Sequence, residues 1–415
     1  MPSESKKLPG VLMLLLSALG ILFSVLIVAG VIFSLKVLPS SDSSVVEQLP
    51  VASSGALALL VGLLHIPALV LAVRSLRGKV SLVKHPALFK RASLAGLVWL
   101  GIMAAGILAI RAQAARFIFV PLTLFAVAVP VWWLVEVSRL GLPRSTAFRE
   151  WGTLTIGLSA APLFIMLVEI SMVVVIALAV IVVLGRQPGF LEQLVNITQN
   201  LDLYKGGIEQ LEQLLVEMAR NPVIASALFL MIGVLAPFVE ELFKPMAIWF
   251  LLKRPLKDIE GFSLGLISGG AFALLESAGL VSQIAPDTWV QAVILRAGTG
   301  LLHISLSGFV GYGLVSSWNR KRFGRAFLYL FGAAGLHGAW NSLALISSFS
   351  TTGASAASAA EFQPSPGNIL SFAGMAAVFA AVLFLDLRIN KTLRKSLPSP
   401  PDSSDSPAAA DVLPE

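Results

Sequence analysis

Residues 222–252 read PVIASALFLMIGVLAPFVEELFKPMAIWFLL. The run is longer than the roughly 20 residues an α-helix needs to cross a bilayer, and nearly every position is apolar. Yet it carries Glu240, Glu241 and Lys244 in its interior, with a proline at 237. Ionisable groups inside a lipid-spanning segment are expensive and mark function by default. The stretch therefore sets two expectations together: a helix in lipid, and chemistry buried within it.

The whole chain agrees with the first expectation. Its 415 residues are 56% hydrophobic and only 13% charged, with no cysteine. Soluble domains carry about 25% charged residues, so a cytosolic enzyme and a disordered protein are both excluded. A disulfide scaffold, thiol catalysis and thiolate metal ligands are excluded with the cysteines. The net charge of +7 does not indicate nucleic acid, because the basic residues lie between apolar runs. Ten spans are expected, at about 10–35, 52–73, 92–110, 117–137, 152–185, 222–252, 261–284, 288–316, 326–347 and 367–387. The fold class is all-α, a polytopic membrane helix bundle of about ten transmembrane helices. The first span is too long and too apolar for a signal-peptide core and is read as retained. Two spans exceed the crossing length, and Pro162 and Pro237 are their expected break points, because proline removes a helix hydrogen bond.

Charge places the ends. Of the 30 basic residues, 22 fall in alternate loops on one side of the ten spans and 6 on the other, while Lys244 and Arg296 lie within spans. The positive-inside rule then puts both termini in the cytoplasm. Five regions follow: 1–150, a four-helix membrane region of unassigned role; 151–221, the long fifth span and an extracytoplasmic amphipathic segment; 222–347, the polar membrane core; 348–395, an outer loop and the last span; 396–415, a disordered cytoplasmic tail. In the second region Ile208, Leu211, Leu215 and Met218 recur at helical spacing, as in a helix lying at the outer interface.

The intramembrane polar residues are unevenly distributed. Spans one to five hold His65, Glu136 and Glu169, whereas spans six to nine hold Glu240, Glu241, Lys244, Glu276, Arg296, His303, His337 and Asn341. Glu240 and Lys244, Phe272 and Glu276, and His337 and Asn341 are each four apart and share a helix face. At a rise of about 1.5 Å per residue, Glu240 lies about 18 Å from the cytoplasmic span end, Lys244 about 12 Å, Glu276 about 22 Å, His303 about 20 Å, His337 about 16 Å and Asn341 about 22 Å. Four antiparallel helices thus bring carboxylates and imidazoles to similar depth. Two imidazoles with one or two carboxylates suit a borderline cation such as zinc. A further carboxylate suits a general base on a bound water. Lys244 would keep Glu240 ionised, and Asn341 would donate to a developing oxyanion. Together these parts fit amide hydrolysis.

Four motifs in order resemble the PrsW family of intramembrane proteases, within the larger group of CAAX/Abi-type membrane endopeptidases. Glu240-Glu241-Leu242-Phe243-Lys244 is similar to the family's EExxK; Phe272 to Glu276 is similar to its FxxxE; His303, preceded by Arg296 and followed by Gly308, Gly311 and Gly313, to its single-histidine motif; and His337 to Asn341 to its HxxxN. Ser277 departs from the amide residue expected there. The resemblance spans roughly 220–345 and implies a bacterial, multi-pass intramembrane endopeptidase acting on membrane-anchored proteins, anti-sigma factors among them. It implies that Glu240 or Glu241 activates water, and that Glu276, His303 and His337 hold a divalent metal, zinc first, or orient that water in a metal-free glutamate mechanism. The expected partners are a membrane-anchored protein or peptide and the lipid bilayer, not nucleic acid.

Two other functions compete. A transporter would distribute its buried polarity over two matched halves; here the polarity is C-terminal and no internal repeat is visible. A non-catalytic binding protein would have lost an acid or an imidazole, and none is lost.

Overall fold

The protein is described from a computed structural model covering residues 4–37, 44–79, 92–112, 116–187, 189, 192, 195, 221–282, 284, 288–351 and 365–397. The expected outer amphipathic helix at 208–218, the expected tail beyond 397 and most of the outer loop fall outside these residues. All regular structure among the described residues is helical. In chain order the elements are α1 (Glu4–Val37), α2 (Ser44–Leu76), α3 (Ala92–Ala112), α4 (Arg116–Ser138), α5 (Ala147–Leu158), α6 (Ala160–Leu184), α7 (Pro222–Leu230), a π-helical turn (Met231–Leu235), α8 (Ala236–Phe243), α9 (Met246–Leu251), α10 (Asp258–Val281), α11 (Trp289–Arg320), α12 (Gly324–Thr351) and α13 (Pro366–Lys395).

Nine segments among the described residues are long and apolar enough to cross a membrane, counting α5–α6 and α7–α9 as one each. The expected ninth span, α12, is long enough at 28 residues, but His337, Asn341 and its serines and glycines dilute its apolar character. It follows α11 after a short turn and packs against both α11 and α13. The protein is a multi-pass membrane helix bundle.

The bundle has a centre and a periphery. Helices α10 and α11 are buried along most of their length, with Phe262, Leu264, Leu266, Ile304, Leu306 and Val310 in the core. Helix α6 is the opposite case: only Ala161, Ile165 and Leu184 are buried. Small residues allow the central contact. A Cβ on Gly265 would collide with the Ser307 carbonyl, and one on Gly269 with the His303 carbonyl. The backbones of α10 and α11 therefore touch, as small-xxx-small faces do in membranes, and the carbonyl at the closest point is that of His303.

The two overlong spans are broken, as proline predicts, with a difference in position. The first breaks at Ser159 (φ −131°, ψ −76°), so Pro162 sits in the first turn of α6. The second is interrupted twice. A π turn precedes Pro237, whose missing N–H leaves the Gly233 carbonyl without its usual partner. Pro245 then ends α8 and restarts the helix as α9.

At the end where the basic residues collect, charges are paired rather than free. Arg139 contacts Glu136 and Glu150, Arg144 lies 2.7 Å from Glu136, and Arg149 lies 2.5 Å from Glu260. Arg320 bonds Asp258 at 2.7 Å, and Asn390 donates to the Ser138 carbonyl at 2.8 Å. These contacts tie α4, α5, α10, α11 and α13 together at one end and fix the register of the central pair.

Gly269→Leu should separate α10 from α11, costing about 1–3 kcal/mol as an overpacked core does. Gly279→Ala on the same helix, where a Cβ meets nothing within 4 Å, should be neutral. Thermal unfolding of both variants in detergent checks the difference.

Candidate active site

Four elements converge on one buried cluster. Helix α8 supplies Glu240, Glu241 and Lys244; α10 supplies Phe272 and Glu276; α11 supplies Arg296 and His303; α12 supplies His337 and Asn341. Glu241 and Lys244 have no exposed surface, His303 and His337 are 1% exposed, and Glu240 is 8% exposed.

Lys244 is at the centre. Its Nζ lies 2.8 Å from Glu240 Oε2, 2.8 Å from Glu241 Oε1 and 2.7 Å from His303 Nδ1. It also sits 4.5 Å over the Phe272 ring, which stands edge-on to His303. Its own carbonyl, left without a helix partner at the Pro245 break, accepts from Ser268 Oγ. One buried ammonium thus faces two carboxylates, so the pair on α8 is not a simple ion pair, and its second negative charge needs a further partner.

The imidazoles meet that need in parallel ways. An ammonium can only donate, so His303 Nδ1 presents its lone pair to Lys244 and Nε2–H donates to Glu276 Oε2 at 2.7 Å. Glu276 is held in turn by Arg296 at 2.6 Å, and Arg296 also donates to Ser277 Oγ at 3.1 Å. His337 Nδ1–H donates to Glu241 Oε1 at 3.0 Å, which leaves Nε2 facing Glu240 Oε2 at 3.9 Å. The two rings pack edge to face with centroids 4.9 Å apart. Each imidazole is therefore fixed by a carboxylate on one nitrogen; the other nitrogen meets Lys244 in His303 and faces Glu240 in His337. This is the carboxylate–histidine pairing that orients metal ligands.

The donor atoms of Glu240, His303 and His337 lie within 4.8 Å of one another. The set fits a divalent ion: one carboxylate and two neutral imidazole nitrogens with an open fourth position. Glu241 Oε2 is buried without a hydrogen-bond partner among the described residues, while Glu240 Oε2 is ion-paired to Lys244 Nζ. Glu276, expected beside the imidazoles as a ligand, stands behind His303 instead, and Glu240 faces both rings. Asn341, expected at the oxyanion, gives its amide nitrogen to the Ile232 carbonyl at 3.2 Å. That carbonyl belongs to the π turn, where the widened helix frees backbone acceptors. Close approach of α12 here depends on Gly338, where a Cβ would strike the Gly233 carbonyl.

Three contributors carried no sequence signal. Ser268, Gly233 and the second proline break at 245 act on backbone groups, and nothing in their residue types singles them out. Phe272 and Ser277 were visible as parts of a motif, but not their contacts to Lys244 and Arg296.

Residues 203–385 match the profile described as PrsW family intramembrane metalloprotease. Comparisons with curated proteins and with solved structures gave no match. All four polar helices of the cluster fall inside the matched region, whereas α1–α6 precede it. The matched region supports a hydrolase of peptide bonds that works within the membrane, and the buried Glu/His/His group could hold a metal.

Lys244→Met should leave two acids buried without their cation, lowering stability by about 3–5 kcal/mol. Denaturation of the purified protein, followed by helical circular dichroism, measures this. His337→Ala should separately reduce bound divalent metal after loading, read by elemental analysis of the folded protein.

Proposed function

We propose that the protein is an endopeptidase for membrane-anchored protein substrates, anti-sigma factors being one class, and that water activated by Glu240 cleaves the scissile bond. The observation that carries this reading is the convergence of Glu240 with two imidazoles that are each backed by a carboxylate, their donor atoms lying within 4.8 Å of one another. Glu240 is the more accessible of the two acids on α8, and its Oε2 lies 2.8 Å from Lys244 Nζ. It takes the proton of the attacking water and later returns it to the leaving amine. Glu241 and Glu276 hold His337 and His303 in register. Arg296 keeps Glu276 in place, and Asn341 locks α12 onto the π turn.

In the metal-assisted alternative Glu240 would serve as a ligand and not as the base: a divalent metal, zinc by the chemistry of the donors, would be held by Glu240, His303 and His337 and would polarise the scissile carbonyl and acidify water. Lys244 lies against two of these three donors, so its ammonium must swing aside for the ion to enter.

For topology we propose ten crossings with both termini cytoplasmic. The even count requires α12 to cross, and its length and its antiparallel packing beside α11 support that. The chain has no cysteine, so single-cysteine variants report cleanly. Arg322→Cys should be labelled by an impermeant maleimide only from the cytoplasmic side, and Arg186→Cys only from outside. The reverse pattern overturns the orientation.

In proteoliposomes the wild-type protein should cut a single-span substrate, and Glu240→Gln or His337→Ala should slow the cut by about 100- to 10,000-fold, the usual contribution of acid–base groups. Unaltered cleavage in both variants, at wild-type unfolding temperature, removes the mechanism. A chelator arm distinguishes the metal-assisted route, which stops, from the metal-free one, which continues.

A further inference from the structure

Glu169 is an acid within a membrane span that the cluster does not use. It lies on α6, ahead of the matched family region. Arg296 is engaged by Glu276 and Ser277. Glu169 Oε1 is shielded and has no hydrogen-bond partner among the described residues. The carboxyl nonetheless lies within electrostatic reach of Glu240, Lys244 and Glu276. An acceptor left unsatisfied at this depth is costly unless something else supplies a donor.

The surroundings indicate what supplies it. A groove of about 350 Å³ runs between α6 and α7, lined by Val173, Ala177 and Val180 on one side and Ile224, Ala227 and Met231 on the other. Positions 169, 173, 177, 180 and 184 fall on one stripe of α6, so Glu169 continues the groove wall inward. On the other side Met231 opens the π turn that leads to Glu240. The groove is apolar, its α6 wall packs beside α8, and Glu169 lies about one turn along α6 from the lining residue Val173.

We propose that this groove receives the apolar segment of the membrane-anchored substrate, and that Glu169 accepts a hydrogen bond from that segment's backbone N–H next to the scissile bond. The proposal rests on the endopeptidase reading above and adds the substrate's docking path to it. A lipid acyl chain would fit the apolar walls but has no donor for Glu169. A lipid headgroup has donors, but Glu169 lies about 22 Å along α6 from Leu184 at 1.5 Å per residue, too deep for a headgroup to reach. An unwound peptide segment offers both the apolar side chains and the N–H. Helix α6 presents this wall already exposed, so no rearrangement of the buried pair α10–α11 is needed for entry.

The test uses the full-length protein in proteoliposomes with benzoylphenylalanine at Ala177, or at Val175 on the opposite face of α6. The probe is a biotinylated synthetic peptide carrying a twenty-residue Leu/Ala span joined to a Gly/Ser segment. Ala177 should crosslink to the peptide and Val175 should not. In the Ala177 background, Glu169→Ala should raise the half-saturating peptide concentration roughly tenfold, the loss expected for one hydrogen bond to a charged group. Glu169→Gln, which keeps an acceptor, should stay within about threefold of wild type on the same scale. Equal crosslinking from both positions, crosslinking of Ala177 to phospholipid alone, or an unshifted half-saturation in Glu169→Ala overturns the proposal. Because this readout needs no cleavage, a peptide that crosslinks at Ala177 yet is never cut counts against the endopeptidase reading and leaves the docking site standing. Cleavage without the crosslink does the reverse.

Discussion

A lysine ammonium with no exposed surface, inside a bundle that lives in lipid, is the constraint on which the site depends. Moving such an ion from water to a low-dielectric interior costs several kcal/mol even after relaxation. It is tolerated only because three acceptors lie within 2.8 Å of Lys244 Nζ. Two of those acceptors bring a negative charge each, so the compensation overshoots, and the excess is what His337 and any bound cation answer. The cluster is therefore a chain of obligations: the lysine requires the acids, the acids require the imidazoles, and the imidazoles require Glu276 and Arg296 behind them. Removing any member leaves a buried polar group without its partner, so the same residues serve stability and chemistry together.

The backbone around the cluster follows the same logic. In lipid every peptide group has to be satisfied internally, and irregular backbone survives only where protein covers it. The π turn and the Pro245 break both free carbonyls, and the protein answers each with a side chain: Asn341 for Ile232, Ser268 for Lys244. These bonds do more than repair the helix. They pin α12 and α10 to α8 at the level of the acids, while Gly338 and Gly269 remove the side chains that would hold the backbones apart. Irregularity in α7–α9 and close packing of α10–α12 are two sides of one requirement, that carboxylates and imidazoles from four helices reach a common point.

What the sequence made legible was composition, period and depth. Apolar runs gave the membrane spans, and ionisable residues inside those runs gave the cluster, because lipid makes each such residue exceptional. Depth counted along each span brought Glu240, His303 and His337 to one level, and their donor atoms do converge. The direction in which a side chain reaches was not legible. Glu276 and Glu240 sit at comparable depth, and only the helix rotation, set by the contact of Gly265 and Gly269 with α11, decides that Glu276 stands behind His303 while Glu240 faces both rings. Asn341 was likewise placed by a π turn that no periodicity predicts. The ion pairs of Arg139, Arg144 and Arg149 were hidden for a different reason: as loop charges they served the orientation argument, and their acidic partners lie on other helices.

The division between buried centre and exposed periphery also bears on how hydrolysis can occur inside a membrane. Water and a peptide must both reach groups that are nearly sealed. Glu241 is fully enclosed and is committed to Lys244 and His337, so it has no free face for a substrate. Glu240 retains 8% exposure, so it is the member of the pair that can meet one. The two adjacent acids are thus made unequal by position alone: the rotation of about 100° between neighbouring helix residues places the first toward the periphery and the second toward the core. Helix α6 completes the asymmetry, since it is almost wholly exposed and ends its inward stripe on a carboxylate. A rigid, polar centre is needed to hold opposed charges in lipid, and a loosely covered flank is needed to admit a substrate. The bundle assigns the first to α8 and α10–α12 and the second to α6 and α7.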